Sequence, residues 1–340
     1  LINCLKDTCL LFKHFPQYFH NYMDTEYEKD AYRFHVDDQE NWKAYLKEHG
    51  FVVVYGCVSK EKCQEVLEDM KKTLAALSDD LKLDDPETWK EAKNYPIHMH
   101  AGMIQYIGHA KFQWDLRELV APIFAKIWDC NELKLATSFD GFCYMDGRRK
   151  YRKADPLSHM HTDQAPTDEQ WNVQGLVNIC DNGEKDGGLV VIPKTHTQHK
   201  EFFRKIGKAD HQDNWYKFSD EEKTDPIFEN HVKVCGEAGD MMLWDSRTFH
   251  CNTVPETEDI RACAYICQIP KNKVSKKIRK NRAKAWKTKR CCVHHPGDGF
   301  KMFPVVPRFG DPKIKEKIPK LSLKDEDLSK LQKSLLCIEE

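Results

Sequence analysis

The sequence predicts a mainly β protein with flanking helices, an α+β arrangement, and two observations support this prediction. Residues 37–132 contain apolar side chains at helical spacing, interrupted by one β-branched run. Residues 133–270 instead contain many short apolar runs that are separated by turn residues. Short strands at regular spacing beside a helical region are typical of a β-sandwich or barrel with helices on one side.

The helical flank begins with a helix–strand–helix pattern. Acidic residues at 37–40, followed by an apolar face, predict a helix that ends at Gly50. Residues 51–55 (FVVVY) predict a strand, and Ser59 is a candidate N-cap of the next helix. A third helix is expected over residues 112–130, where apolar side chains recur at three- and four-residue spacing.

The β region is expected to contain strands that end at Gly, Pro, Asn or Asp. The predicted strands cover residues 133–145, 171–180, 189–192, 231–235, 240–245 and 262–269. The polar residues 196–225 are interpreted as a helix or loop. After residue 270 the pattern is helical again, with a basic helix that Ser275 caps and a short terminal helix over residues 322–337.

These patterns divide the chain into three parts. Residues 1–36 form an N-terminal extension. Residues 37–270 form the main domain, with the helical flank at 37–132 and the β-core at 133–270. Residues 271–340 are expected to form a basic helix and a tail that pack on this core.

Composition and charge indicate a globular intracellular protein. Of the 340 residues, 40% are hydrophobic and 11% aromatic, which is too apolar for a disordered chain. Residues 271–290 hold eleven Lys or Arg and no acid, so the net charge of -1 conceals a basic segment on an acidic body. The fourteen cysteines are scattered without a C-x-x-C pair, which favours reduced thiols. The interrupted apolar N-terminus is neither a signal nor a membrane span, and we expect a soluble, cytoplasmic protein with no membrane partner.

One short motif suggests a metal site. His161 and Asp163 lie two residues apart and would point to the same side of a strand. One imidazole and one carboxylate supply two ligands of an open-sided iron(II) site, which another His completes. His250, after a Gly-Asp strand, is the candidate, and Arg261 follows eleven residues later. His159 is an alternative to His161, but of the two pairs His159-x-His161 and His161-x-Asp163 only the second ends in a carboxylate. Taken alone, the His161-x-Asp163 motif could also be a hydrogen-bonded pair on the surface.

A second group of metal-binding residue types lies in the C-terminal part of the chain: Cys291, Cys292, His294 and His295. Their composition suits zinc. Their spacing is not that of closed zinc sites, and a loop without metal is the favoured interpretation.

Four stretches of the sequence resemble one known family. They are residues 50–59, His161-Thr-Asp163, residues 187–196 (GGLVVIPKTH) and residues 239–261. They are similar to the phytanoyl-CoA dioxygenase-like family of iron(II)/2-oxoglutarate oxygenases, although Lys-Thr stands at 194–195 where the family usually has Gly-Ser. The resemblance covers residues 37–270 and implies a double-stranded β-helix, a jelly-roll form of the predicted double sheet.

The resemblance also implies roles for particular residues. It implies an iron(II) site with three protein ligands: His161, Asp163 and His250. It implies that Arg261 pairs with the distal carboxylate of 2-oxoglutarate and that Asn252 contacts the same carboxylate. Tyr144 is a further candidate contact with this co-substrate, and a core aromatic is the alternative role for Tyr144.

The implied reaction is the hydroxylation of a C–H bond in a small molecule, in which 2-oxoglutarate and dioxygen are converted to succinate and carbon dioxide. Ascorbate is expected to support turnover as a reductant. Two alternatives stay open. The same chemistry could act on a nucleobase or a protein side chain, with residues 271–290 attracting nucleic acid, or the chain could be an inactive metal-binding jelly roll. The oligomeric state is left open.

Overall fold

The computed structural model describes residues 27–96, 102–149, 151, 157–306 and 311–338. The predicted N-terminal extension therefore lies mostly outside the described residues. In chain order the strands are β1 Arg33–His35, β2 Phe51–Tyr55, β3 Met103–Ile104, β4 Leu135–Thr137, β5 Phe142–Asp146, β6 His161–Thr162, β7 Val173–Asn178, β8 Gly188–Ile192, β9 Tyr216–Lys217, β10 Val232–Lys233, β11 Met241–Asp245, β12 Phe249–Thr253, β13 Ile260–Tyr265 and β14 Gln268–Pro270.

The helices flank these strands in three groups along the chain. The α-helices are α1 Gln39–His49, α2 Lys60–Leu77, α3 Lys111–Leu119, α4 Ala121–Trp128, α5 Thr195–Lys205, α6 Lys276–Lys287, α7 Ile314–Lys317 and α8 Lys330–Leu336. Short 3₁₀ helices cover Pro86–Trp89, Ala92–Asn94, Glu132–Lys134, Glu222–Thr224, Pro226–Asn230, Lys271–Lys273, Ile318–Leu321 and Asp325–Asp327. None of the described helices is both long and apolar enough to cross a membrane.

Twelve of these strands form the two sheets of a jelly roll, and β4 and β14 pair with each other in a separate two-stranded sheet. The larger sheet has the order β1-β2-β11-β7-β13-β5-β3, and the smaller sheet has the order β10-β8-β12-β6-β9. Consecutive strands from β5 to β8, and again from β10 to β13, alternate between the two sheets. Neighbouring strands in the core pair antiparallel. This topology confirms the predicted double-stranded β-helix core with flanking helices.

Three apolar clusters pack against the sheets. The larger sheet buries one face against helices such as α2, through Val54 and Leu74, and the other face against the smaller sheet, through Leu176 and Val191. Helix α5 covers the outer face of the smaller sheet, where Phe202 packs beside Phe249 with ring centroids 5.1 Å apart. The interior between the sheets is therefore enclosed on both sides.

The N-terminal predictions agree closely with the structure. Helix α1 ends at Gly50, which adopts a φ of 80° and donates its N–H to Leu46. Strand β2 has the predicted bounds, and the Ser59 hydroxyl accepts the N–H of Lys62 at the start of α2. Apolar β-branched runs and side-chain caps are local signals, so one sequence is enough to read them.

Several predicted boundaries are wrong for identifiable reasons. The helix expected over residues 112–130 is divided into α3 and α4, because Pro122 has no N–H to continue the ladder. The strand expected over 133–145 is divided at Gly141, where a Cβ would lie 1.8 Å from the Ile104 carbonyl oxygen. The strand expected over 262–269 is divided into β13 and β14.

The strand that carries the second histidine also differs from the prediction. The sequence predicts a strand over residues 240–245, with His250 beyond its end and in no strand of its own. The structure ends β11 at Asp245, turns through residues 246–248, and instead places His250 inside a separate strand of the other sheet. The terminal helix is shorter than predicted, because the Ser329 hydroxyl accepts the N–H of Gln332 and starts α8 there.

Candidate metal centre and co-substrate site

Strand pairing brings the predicted metal ligands together. His161 on β6 lies directly opposite His250 on β12, and their ring centroids are 4.3 Å apart. Asp163 follows β6 immediately, and its N–H donates to the carbonyl of Ser246 in the turn before β12. One ligating atom from each of His161, Asp163 and His250 lies within 4.8 Å of the others. Among the described residues this is the group that could hold a metal ion.

Backbone carbonyls orient both imidazoles. His161 donates Nδ1–H to the carbonyl of His159 at 2.6 Å, and His250 donates Nδ1–H to the carbonyl of Thr248 at 2.8 Å. These bonds select the tautomer in which Nε2 carries a lone pair. Each ring thus presents Nε2 to the same point, and His159 contributes its main chain to this geometry.

The carboxylate of Asp163 completes the donor set. Its Oδ2 lies 3.3 Å from His250 Nε2 and 3.9 Å from His161 Nε2, and it accepts a hydrogen bond of 2.9 Å from Gln174 Nε2. Burial raises the pKa of Asp163, but the adjacent His161 and His250 outweigh burial and bring the pKa well below its usual range. Burial and the neighbouring His250 lower the pKa of His161 to about 4. A neutral imidazole beside an ionised carboxylate is the protonation state that metal binding requires.

Two imidazoles and one carboxylate on one side of a metal are the donor set of non-haem iron(II) oxygenases. They leave coordination positions open for other ligands. The residues present therefore fit iron(II).

Arg261 has the features of an anion-binding residue. Its side chain is buried, and Nη1 donates to Asn178 Oδ1 at 2.6 Å. Within the described part of the chain, Nε and Nη2 of Arg261 have no hydrogen-bond partner. Buried guanidinium donors without an acceptor are costly, so they indicate a site for an anion. Gly188, with a φ of 121°, leaves space beside them, because a Cβ there would lie 3.0 Å from Nε and 3.3 Å from Nη2.

The distance between the candidate metal ligands and the Arg261 guanidinium suits a five-carbon dicarboxylate. Gly188 of β8 lies beside the Arg261 guanidinium. Val191, three residues further along the same strand, lies opposite His250. Three residues along a strand correspond to about 10 Å. A 2-oxo acid bound at the metal could therefore reach Arg261 with its distal carboxylate, so 2-oxoglutarate fits the residues present.

The other two expected co-substrate contacts have different outcomes. Asn252 lies on β12, two residues after His250, and donates Nδ2–H to the Tyr265 hydroxyl at 3.4 Å, so its contact with 2-oxoglutarate stays a prediction. Tyr144 packs in the outer cluster, with its ring 5.6 Å from Trp89, whereas its neighbour Cys143 faces the interior. Tyr144 therefore faces away from the space between the sheets, since alternate residues of a strand face opposite sides, and this position favours its alternative role as a core aromatic residue.

Two histidines that the sequence did not assign to the site lie against Asp163. His295 donates Nε2–H to the main-chain carbonyl of Asp163 at 2.8 Å. His294 Nε2 lies 4.0 Å from Asp163 Oδ2, and His294 Nδ1 is hydrogen-bonded to Asp140. Burial lowers the pKa of His294, but the carboxylate of Asp140 outweighs it and raises the pKa to about 9. The residues lie in a loop, as predicted, and no spacing pattern signalled where that loop packs.

The jelly roll with two histidines, one aspartate and a buried arginine has the arrangement of the non-haem iron(II), 2-oxoglutarate-dependent oxygenases. The family model for phytanoyl-CoA dioxygenase (PhyH) matches residues 46–263. The chain belongs to this family.

The chain is also similar to individual proteins. The Ava biosynthesis cluster protein O of Aspergillus versicolor is 29% identical over 273 residues, which cover 75% of this chain and 83% of the relative. Among solved structures, a hypothetical protein of Escherichia coli has a TM-score of 0.56 at 14% identity, covering 90% of this chain and 85% of that chain. A putative oxidoreductase of Salmonella typhimurium has a TM-score of 0.55 at 12% identity, with the same coverage. These two likenesses concern the fold.

Proposed function

We propose that this protein is a dioxygenase that uses iron(II) and 2-oxoglutarate to hydroxylate a C–H bond of a small molecule. The observation that carries this proposal is the convergence of His161, Asp163 and His250, whose ligating atoms lie within 4.8 Å. The unpaired guanidinium donors of Arg261 add a site for the distal carboxylate of the co-substrate.

Each residue has a distinct task in this proposal. His161, Asp163 and His250 would hold iron(II), which supplies the chemistry that couples decarboxylation of 2-oxoglutarate to oxidation of a C–H bond. Arg261 binds the distal carboxylate in two parallel hydrogen bonds through its free donors. The apolar interior between the sheets excludes water from the bound co-substrate.

Two observations favour a small-molecule substrate. Trp215 is 56% exposed, and its ring lies 6.2 Å from that of His161, so it offers a flat apolar surface beside the metal centre. The Aspergillus versicolor relative is named for a biosynthesis cluster. A substrate with a planar or apolar face that packs on Trp215 is consistent with both.

The basic segment gives less support to nucleic acid as substrate. Five of its eleven cations contact other parts of the chain: Lys271, Lys273, Arg282, Lys289 and Arg290. Arg279 donates to the carbonyls of Val274 and Lys271 within the segment. Those side chains stabilise the fold. Fewer cations therefore remain for phosphate contacts than the sequence suggested.

Succinate formation from 2-oxoglutarate tests the enzyme proposal. Wild-type protein with iron(II), ascorbate and oxygen should release succinate above the metal-free background, and a set of candidate substrates should raise the rate. His161→Ala and Asp163→Ala should lower it by about 100-fold or more, whereas His231→Ala, an exposed histidine outside the site, should not. Absence of both metal binding and succinate release in the wild type would refute the proposal.

Isotopically labelled dioxygen tests the hydroxylation itself. A hydroxylated product should carry one labelled oxygen atom, and succinate should carry the other. Labelled succinate with an unlabelled, oxidised product would keep the oxygenase class and reject hydroxylation.

A further inference from the structure

A segment outside the family match packs against the metal centre. Residues 291–303, here called the C-terminal hairpin, lie beyond residue 263, where the family model ends. Phe303 donates its N–H to the carbonyl of Cys291, and Val293 donates to Lys301, so the segment folds back on itself. The N–H of Cys292 donates to the carbonyl of Phe139 at 2.8 Å, which attaches the hairpin to the core.

His295 makes a complete set of hydrogen bonds to the site. Its Nε2–H donates to the carbonyl of Asp163 at 2.8 Å, and its Nδ1 accepts from Asn172 Nδ2 at 2.9 Å. Both ring nitrogens are thus used in one neutral tautomer. Gly299 allows the hairpin to fold over this ring, because a Cβ at that position would lie 2.8 Å from His295 Cβ and Cγ.

His294 approaches the same aspartate from the carboxylate side. Its Nδ1 is bonded to Asp140, which itself accepts the N–H of Gly141 at 2.7 Å and, through its carbonyl, a hydrogen bond of 2.9 Å from Arg117. His294 Nε2 then lies 4.0 Å from Asp163 Oδ2. That distance is too long for a hydrogen bond, so the oxygen stays available to a metal while the ring limits rotation of the carboxylate.

We propose that the C-terminal hairpin is part of the metal centre and that His295 and His294 are positioning residues for Asp163. This inference rests on the proposed function, because it assumes that Asp163 is a metal ligand. Asp163 lies just outside β6, and its N–H donates to the carbonyl of Ser246. The hydrogen bond from His295 to the Asp163 carbonyl fixes the other side of the same residue and keeps the carboxylate directed at the two imidazoles. Groups that orient a metal ligand typically change metal affinity by about 10- to 100-fold when they are removed.

Manganese(II) alone is a suitable probe, because it binds oxygen and imidazole ligands without turnover. Its affinity can be measured calorimetrically for the wild type, His295→Ala, His295→Gln and His294→Ala. His295→Ala should weaken binding by about 10- to 100-fold and His294→Ala by less. His295→Gln keeps an N–H donor at the position of Nε2, so it should recover part of the loss.

A control variant in the same hairpin separates positioning from folding. Lys301 forms an exposed ion pair with Asp213 on the outside of the hairpin, and Lys301→Ala should leave manganese affinity unchanged. The unfolding midpoint of each metal-free variant shows whether it is folded. If His295→Ala is unfolded, His295→Gln and His294→Ala still decide the question.

Two results have different meanings. Folded His295 and His294 variants that bind manganese(II) within about twofold of the wild type would overturn the inference. A wild-type protein that binds no manganese(II) and no iron(II) would instead refute the metal site on which the proposed function depends.

Discussion

The family-matched core, residues 46–263, and the C-terminal segment, residues 271–338, both contact Asp163 but reach it in different ways. The core positions its ligands through strand pairing, with His161 directly opposite His250. The C-terminal segment reaches the site through single contacts from a hairpin, such as the bond from His295. Strand pairing has a period that a sequence displays, whereas isolated loop contacts have none. Candidate metal ligands can therefore be predicted from spacing, whereas the residues that contact them from a loop cannot.

One buried cation joins the two regions. Arg282 on the basic helix α6 donates to the carbonyls of Thr137, Pro296 and Leu336 at 2.7 Å, 3.2 Å and 2.8 Å. Its guanidinium also lies 4.4 Å from the Phe139 ring centroid. The basic helix α6 thus has one of its charges in the interior, where burial lowers the pKa of Arg282 to about 10.

Of the substitutions considered, Arg282→Met should have the largest effect, because it removes a contact between the C-terminal segment and the core. Removing the guanidinium takes the donor away from four carbonyls, those of Thr137, Pro296, Leu335 and Leu336. We expect a loss of about 3–5 kcal/mol in the free energy of unfolding. Denaturant unfolding measures this loss, with the exposed Lys284→Met on the same helix as control. A separate early transition in Arg282→Met would show that the C-terminal segment unfolds independently of the core, whereas a loss under about 1 kcal/mol would contradict the anchoring role.

Acid should destabilise the core through His199. This residue is buried beside Phe203, with ring centroids 4.8 Å apart, and burial lowers its pKa to about 4. Above the unfolded pKa of about 6.5 both states are neutral; as the pH falls towards 4 only the unfolded state takes up a proton, so stability falls by about 3 kcal/mol.

His199→Phe isolates this contribution. The difference in unfolding free energy between the wild type and this variant, measured without metal, should change between pH 6.5 and pH 4 and stay constant at higher pH. A difference that does not vary with pH would show that His199 is not the group responsible.

Arg261→Ala should lower the affinity for 2-oxoglutarate and leave the affinity for the metal unchanged. Such a result would distinguish the carboxylate-binding residue from the metal ligands. The free donors of Arg261 are expected to bind the distal carboxylate, so the affinity for 2-oxoglutarate should fall about 100-fold. Calorimetric titration of the manganese(II)-loaded protein measures it. Glutarate, which has both carboxylates but no 2-oxo group, should lose affinity as well. If manganese(II) affinity fell equally, the assigned role would be wrong.

The smallest effect is expected on the outer face of α6. Lys276, Lys277 and Lys280 are exposed, and replacing all three by Gln should leave the unfolding midpoint and succinate formation unchanged. A gel-shift assay at low salt with labelled DNA and RNA tests the remaining nucleic-acid alternative. Salt-sensitive binding that the triple variant loses would reassign this face to nucleic acid.

Much of the fold was predictable where local signals were strong. The bounds of β2, the cap at Ser59 and the end of α1 at Gly50 follow from β-branched residues, a hydroxyl acceptor and a residue that accepts positive φ. The wrong boundaries lie where a residue distant in sequence determines where a strand ends. Gly141 interrupts a continuous apolar stretch because the Ile104 main chain approaches it, and nothing near Gly141 in sequence shows that.

For the candidate site, the residue types, their order along the chain and the family resemblance together predicted His161, Asp163, His250 and Arg261, since a metal and a carboxylate need those donors. Tertiary structure decided which side of a strand each residue faces, and it directs Tyr144 away from the space between the two sheets. It also decided which distant residues support the ligands.

The supporting contacts join Asp163 to residues more than 100 positions away, such as His295. Such contacts depend on how the whole chain packs, and packing leaves no periodic trace in one sequence. The sequence by itself determined the chemistry that the centre can hold, and the tertiary structure determined how rigidly that centre is held.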